Sequence, residues 1–403
     1  MPMLRYLTAG ESHGQGLTII IEGLPAGLPL TEEYIARDLK RRQGGYGRGR
    51  RQKIEQDWAQ IRSGVRHGRT LGSPIALLID NKDWVNWQDV MALEEPDEPI
   101  DKVTRLRPGH ADLPGVLKYG FDDVRPILER ASARETAARV AAGVVCRRFL
   151  EEFGISIHSH TIAIDGVEAQ VEGEPDWEAV EASPVRCADA DAGKRMIAAI
   201  DDARNAGDSL GGIIEVRAAN VPIGLGSHVH WDRKIDGKLA QAMMSLNAVK
   251  GVEIGAGFTS ARQRGSQVHD VILPIEKWGE RPWSRATNRM GGTEGGMTNG
   301  EEIVVRAALK PIATLPRSLP SADLHTGEEI PAHYERSDVA VVPAAGVIGE
   351  ALVAIVLAEA CLEKFGGDHI DETLRNYRSY MKTLAPRGGG AVPPAEEEET
   401  TEV

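Results

Sequence analysis

The 403-residue chain is poor in cysteine and in aromatic residues. Cys146, Cys187 and Cys361 are its three cysteines, and aromatics make up 5% of it. Three thiols without a CxxC pair exclude a disulfide scaffold and a cysteine-based zinc site; they read as buried, reduced thiols of a cytosolic protein. No run of about 18 uncharged apolar residues occurs, so no membrane span is expected. The opening MPMLRYLTAGESHG has no charged segment leading into an apolar one, so no secretory signal is expected. A Walker A loop, a G-x-G-x-x-G after a strand, H-E-x-x-H and an EF-hand loop are all missing. That sets aside P-loop kinases, Rossmann dehydrogenases and zinc hydrolases. His158/His160 and His228/His230 are H-x-H pairs, but no nearby carboxylate or Cys completes either, so no metal site is expected.

Charge and glycine are what the chain has. The net charge is −13, which disfavours nucleic acid and anionic membranes as partners. It is unevenly spread. Residues 388–403, GGGAVPPAEEEETTEV, hold five Glu and no base; this Gly/Pro/Glu composition predicts a solvated, disordered tail over 386–403. Residues 37–53, RDLKRRQGGYGRGRRQK, carry eight Lys/Arg against one Asp, a local +7. Three readings fit that segment: an RGG-like nucleic-acid arm, a guanidinium pocket for phosphate and carboxylates, or a solvated charged face. The surrounding acidity opposes the first, and the interleaved glycines favour the pocket over the solvated face.

Apolar periodicity predicts strands over 4–8, 17–22 and 74–80, with a helix from the N-cap Thr31 to about Arg42. Residues 81–100 read as an irregular connection. A long helix is expected over 134–153, ended by Gly154, then a strand over 155–167. The helix-then-strand succession recurs at 194–206 with 213–221, and at 236–248 with 251–255. Residues 344–365 form a helix apolar on most of its circumference, which predicts burial. No linker divides the chain before residue 386, so residues 1–385 read as one α+β domain or two intimately packed halves.

Several motifs carry chemistry. Gly10–Gly14 matches the G-x-S-x-G nucleophile elbow, but a strand follows the serine where the elbow needs a helix. What survives is a Gly-flanked Ser12-His13 pair between strands, and an ordinary hairpin with an exposed histidine is an equal reading. His110 sits beside the Pro108-Gly109 turn. Arg130 to Thr136 leads into the longest helix with small and hydroxyl residues suited to an anion. Asn288–Gly300, with five glycines in thirteen residues, is either a cradle for a cofactor phosphate or a set of chain reversals.

In this order, TAGESHG (8–14), RRQGGYGRGRR (41–51), RPGHADLPGVLKYGFDD (107–123), ERASARETAARVAAG (129–143) and DSLGG (208–212) resemble the chorismate synthase family. So do NAVKGVEIGAGF (247–258), NRMGGTEGGMTNG (288–300), KPIATL (310–315) and ERSDVAVVPAAGVIGEA (335–351). The likeness runs from Leu4 to about Asp368 and leaves the acidic tail outside. It implies a sandwich of helices between antiparallel β-sheets with an internal pseudo-twofold, a homotetramer, and a cytoplasmic lyase of aromatic amino acid biosynthesis. The implied reaction is the 1,4-anti elimination of phosphate from 5-enolpyruvylshikimate 3-phosphate, giving chorismate. It requires reduced FMN without net redox change, and NADPH enters only as a source of flavin reduction; an outside source is favoured here, because no dinucleotide fingerprint is visible.

The resemblance also implies roles. His13 protonates the leaving phosphate, His110 sits against the flavin and supplies a proton, and Asp338 is the ultimate base, acting through flavin N5. Arg42, Arg48, Arg134 and Ser12 bind the substrate. Arg130, Ala131, Ser132, Asn247, Ala248, Gly295, Lys310, Pro311, Ile312, Ala313, Thr314 and Arg336 bind the flavin. A serine hydrolase built on Ser12 and an RNA-binding protein built on residues 41–51 stand as alternatives; serine-directed phosphonate labelling and salt-dependent RNA affinity would distinguish them.

Overall fold

The computed structural model describes residues 4–49, 56–95, 99–171, 173–278, 282–335 and 337–385. The acidic tail, Arg50, Arg51 and Arg336 lie outside the described residues.

Two antiparallel sheets enclose a layer of helices. The first is built from β1 (Arg5–Ala9), β2 (Gly16–Glu22), β3 (Ala59–Ser63) and β4 (Ile75–Asp80), in the spatial order β1-β2-β4-β3. The second is built from β5 (Ser156–Ile164), β6 (Val167–Glu168), β7 (Gly212–Ala219), β8 (Val249–Ile254) and β9 (Ile303–Leu309), in the order β8-β9-β7-β5-β6. Alternation sets which face is buried: Leu17, Ile19 and Ile21 of β2 and Ile75, Leu77 and Ile79 of β4 point into the core, while Leu7 and Ile20 point outward.

The longer helices are α1 (Glu32–Gln43), α2 (Asp112–Tyr119), α3 (Arg125–Ala131), α4 (Thr136–Glu151), α5 (Ala190–Ala206), α6 (Ile235–Met244), α7 (Val342–Phe365) and α8 (Ile370–Met381). Thr31 caps α1 as expected, its Oγ1 accepting from Tyr34 N at 3.2 Å. Helix α4 packs on β2, α7 packs on β5 and β7, and the two helices pack on each other. Their crossing depends on Gly143, where a Cβ would lie 2.6 Å from Ala351 Cα. Helix α7 is long and apolar enough to cross a membrane, but most of it is buried inside the fold. Its one fully buried charge, Glu350, accepts hydrogen bonds from Arg41 (2.8 and 3.0 Å), Arg147 (2.6 Å), Arg186 (3.2 Å) and Ser159 (2.6 Å). Burial alone would raise that carboxyl; the three guanidiniums hold it well below the usual carboxylate range.

Three expectations shift. The helix read over 134–153 starts at Thr136, because Ser132 caps a separate 3₁₀ turn at Ala133–Glu135 and α3 precedes it. The helix read over 236–248 ends at Met244, so Asn247 and Ala248 fall in a turn, with Ala248 at φ 70°. The stretch 81–100 is not wholly irregular: a 3₁₀ turn spans Lys82–Asn86 and ends against Trp87. The two H-x-H pairs differ: His228 and His230 are exposed, whereas the first pair packs into the fold. His160 is buried, with Nε2 3.1 Å from Glu215, and His158 stacks on Trp177.

Helix propensity alone would favour Gly143→Ala by about 1 kcal/mol. The collision with the Ala351 backbone reverses the sign, so the variant is expected to lose about 1–3 kcal/mol. A lowered thermal midpoint in calorimetry checks this.

Candidate active site

One cavity of about 710 Å³ opens where the helical layer meets the loops at one end of both sheets. Ser12 and His13 reach it from the turn between β1 and β2, and Arg42 and Arg48 from the end of α1 and its following loop. His110 comes from the Pro-Gly turn before α2; Ala131, Ser132 and Arg134 come from the α3–α4 junction. Asn247 and Ala248 follow α6, Lys310, Ile312, Ala313 and Thr314 follow β9, and Asp338 precedes α7. Gly109 allows its turn because its φ is 74°, a left-handed value costly for other residues.

Of the remaining expected positions, Arg130 does not line this cavity. Its guanidinium donates to Thr8 O (2.9 Å) and Gly10 O (3.1 Å), bracing the turn that carries Ser12 and His13. Pro311 does not line it either, and Gly295 lines a separate concavity with Asp270 and Arg289.

The cations are held by buried acceptors. Arg42 donates to Thr136 Oγ1 (2.9 Å), Ala133 O (3.2 Å) and Asp57 Oδ2 (3.2 Å). Arg134 binds the other Asp57 oxygen, and its Nε donates to Asn81 Oδ1 at 2.8 Å. Burial, with Arg134 and Arg48 adjacent and Asp57 opposing, brings the Arg42 guanidinium down to about 10, so it stays charged at neutral pH. Arg48 donates from Nη1 to Asp338 Oδ2 at 2.7 Å, and Gly49 N donates to Oδ1 at 2.5 Å. The Arg48 Nε is buried without a partner among the described residues, an unspent donor beside the cavity. Burial, with Lys250 nearby, lowers the Lys310 ammonium.

Both histidines are gripped at Nδ1. For His110 the partner is Asp112 Oδ1 at 2.6 Å, a carboxylate that also takes Arg107 Nε and Nη2 at 2.8 Å each. With Nδ1–H donated to Asp112, Arg107 Nη2, 2.9 Å from the same nitrogen, serves the carboxylate and not the ring. Burial would raise the Asp112 carboxyl, but Arg107 and His110 hold it well below the usual range. For His13 the partner is Glu129, at 2.9 Å and 3.1 Å, and the ring stacks on Trp87 with centroids 3.9 Å apart. Asp112 lies two residues from His110, inside a motif the sequence already marked. Glu129 is 116 residues from His13 and Asp57 lies far in sequence from Arg134, so no local pattern signalled either role. Trp87 falls in the stretch read as a connection.

Fixed guanidiniums beside two oriented imidazoles and a carboxylate define an enzyme that binds a small polyanion and moves protons on it. The comparisons make this particular. The chorismate synthase family model matches residues 4–362. A chorismate synthase of Moorella thermoacetica is 58% identical over 389 residues, covering 95% of this chain and all of that protein. One of Streptomyces avermitilis is 54% identical, covering 96% and 100%. A crystal structure of a chorismate synthase superposes with a TM-score of 0.74 at 46% identity, covering 95% of this chain and 98% of that one. The chain belongs to the chorismate synthase family, carbon–oxygen lyases that eliminate phosphate from 5-enolpyruvylshikimate 3-phosphate to give chorismate.

Glu335, also on the cavity wall, is brought down to about 2: burial opposes the shift, but His333 and Arg125 outweigh it. A depressed carboxyl stabilises the fold above its unfolded pKa of about 4.5 and loses that contribution as pH falls toward 2. The stability gap between wild type and Glu335→Gln should therefore shrink as pH drops through that window, as measured by urea midpoints.

Proposed function

We propose that the reaction runs with reduced FMN bound in this cavity beside the substrate, and that the residues above divide its steps. The observation that supports the reading is the gathering of Ser12, His13, Arg42, Arg48, His110, Arg134 and Asp338, from five separate stretches of chain, around one space. Its lining also includes apolar side chains, among them Leu246, Ile312, Val341 and Ile348. A pocket that combines fixed charges with apolar side chains suits a polyanion next to a planar ring. The turn residues Asn247 and Ala248 and the Lys310–Thr314 segment would hold the flavin, with Ala131 and Ser132 opposite; Arg336 is part of the set and lies outside the described residues. Reduced FMN supplies transient electron density for breaking the carbon–oxygen bond, with no net redox change.

The protein's own work is electrostatic and protic. The substrate brings two carboxylates and a phosphate together, and their mutual repulsion falls on Arg42, Arg48 and Arg134 before any bond changes. These guanidiniums are already desolvated and hydrogen-bonded, so they need little reorganisation when the phosphate leaves. His13 protonates that phosphate, with Ser12 beside it contacting the substrate. His110 supplies a proton on the flavin side, and Asp338 receives the C6 proton. For Asp338 to do so, Arg48 must exchange its carboxylate for a substrate anion.

Residues 1–385 act as one catalytic unit and 386–403 are appended to it. The assembly is a cytoplasmic homotetramer, and NADPH serves only upstream, where FMN is reduced. Apolar side chains left outside the fold, Leu7 and Ile20 on the first sheet and Leu117 on α2, support burial against further copies. Light scattering should give the mass of four chains; a monomer would remove the assembly from the reading.

An anaerobic assay with the phosphorylated substrate tests the whole: chorismate should form only with reduced FMN present. His13→Ala and His110→Ala should each lower turnover by about 10- to 10⁴-fold, the range for losing an acid–base group. Wild-type turnover in either variant removes the role given to that histidine.

A further inference from the structure

We infer that Glu129 is a positioning residue for this reaction: it decides which nitrogen of His13 exchanges protons with the substrate. The inference rests on the role given to His13 under the proposed function.

Glu129 holds the Ser12-His13 turn at three points. Its carbonyl accepts from Ser12 N at 3.2 Å, its Oε2 accepts from His13 N at 2.7 Å, and its carboxylate meets the His13 ring at Nδ1. The side chain is fully buried on α3, and Arg125, one turn earlier, donates to Oε1 at 3.2 Å. Arg125 also reaches Glu335 at 2.8 Å and lies over the Trp87 ring, 5.2 Å from its centroid. One guanidinium thus ties the carboxylate behind His13 to the aromatic ring that stacks on His13 and to the segment leading to Asp338.

The chemical consequence follows from the inventory of donors. A carboxylate accepting from a backbone N–H and from a guanidinium accepts from the ring as well, so Nδ1 carries its hydrogen in both the neutral and the charged imidazole. Proton exchange is confined to Nε2. When the imidazolium gives its Nε2 proton to the departing phosphate oxygen, the N–H bond breaks and the O–H bond forms. The ring stays as the Nδ1–H tautomer, and Glu129 takes no proton. Nε2 is recharged from solvent without a ring flip, which Trp87 and Glu129 together oppose. A glutamine at 129 has one oxygen for three donors. Its amide NH₂ then faces Nδ1 and favours the opposite tautomer, leaving the neutral Nε2–H as a poor acid; the same loss follows when the orienting carboxylate of a catalytic triad becomes an amide.

Steady-state kinetics with reduced FMN on Glu129→Gln, Glu129→Asp, His13→Ala and the double variant H13A/E129Q test this, with thermal melts as a check on folding. E129Q should lower kcat by about 10²- to 10⁴-fold while KM stays within about threefold. E129D, which keeps the acceptor, should recover to within about tenfold of wild type, and the double variant should be no slower than H13A, because Glu129 acts through the ring. The proposal is overturned if E129Q keeps wild-type kcat, if E129D and E129Q lose equally, or if the double variant loses the product of both single effects. Should E129Q melt below assay temperature, the cycle is run with Arg125→Met, and additive losses with H13A overturn it. H13A with wild-type turnover sinks the role of His13 itself, and the proposal with it; H13A impaired beside an intact E129Q sinks only the proposal.

Discussion

A guanidinium taken out of water must find a carboxylate, and this fold is organised around that requirement. The desolvation cost is several kcal/mol per ion, repaid only by close, well-oriented partners. Arg42 and Arg134 share Asp57, Arg107 has Asp112, Arg125 has Glu129, and Arg41, Arg147 and Arg186 converge on Glu350. The Glu350 cluster joins α1 and α4 to α7 and is not part of the cavity lining. Arg41 and Arg42 are neighbours on α1, so anchoring one to Glu350 sets the direction of the other. The cavity cations inherit their precision from an ion cluster outside the cavity wall.

The same economy shapes the two cavity histidines. Each imidazole turns one nitrogen to a carboxylate that is itself held by an arginine, Arg107 behind Asp112 and Arg125 behind Glu129. The two arrangements are built differently. Asp112 and His110 sit two residues apart at the start of one helix, whereas His13 hangs from a β-turn and meets Glu129 across more than a hundred residues. A local device and a long-range one arrive at the same outcome, a ring of fixed tautomer on a cavity wall.

Several elements of the sandwich were legible in the sequence because they rest on periodicity, the alternation in β2 and β4, the Thr31 cap and the apolar circumference of α7 being local signals; their arrangement as a sandwich came from the family resemblance alone. Boundaries failed where side chains compete with the backbone. Ser132 caps a 3₁₀ turn that replaces the first two residues read as the long helix, and Ala248 leaves the helix for a left-handed turn that its composition does not announce. Most of the site residues carried over from the family motifs meet in one cavity, while Gly295 lies at another. Asp57, Glu129 and Trp87 were invisible as functional partners, since their meaning lies in which distant residue they meet and no spacing encodes that.

The pair between Arg48 and Asp338 has a consequence for turnover. A cavity lined with guanidiniums would hold a polyanion, product included, too firmly. In the proposed reaction, a resident carboxylate that returns to Arg48 would act as an internal competitor: it would weaken entry by whatever the ion pair is worth, at tenfold per 1.4 kcal/mol, and speed departure when its own charge is restored. On that proposal the base is also a displacing group, and emptying the site and resetting it become one event.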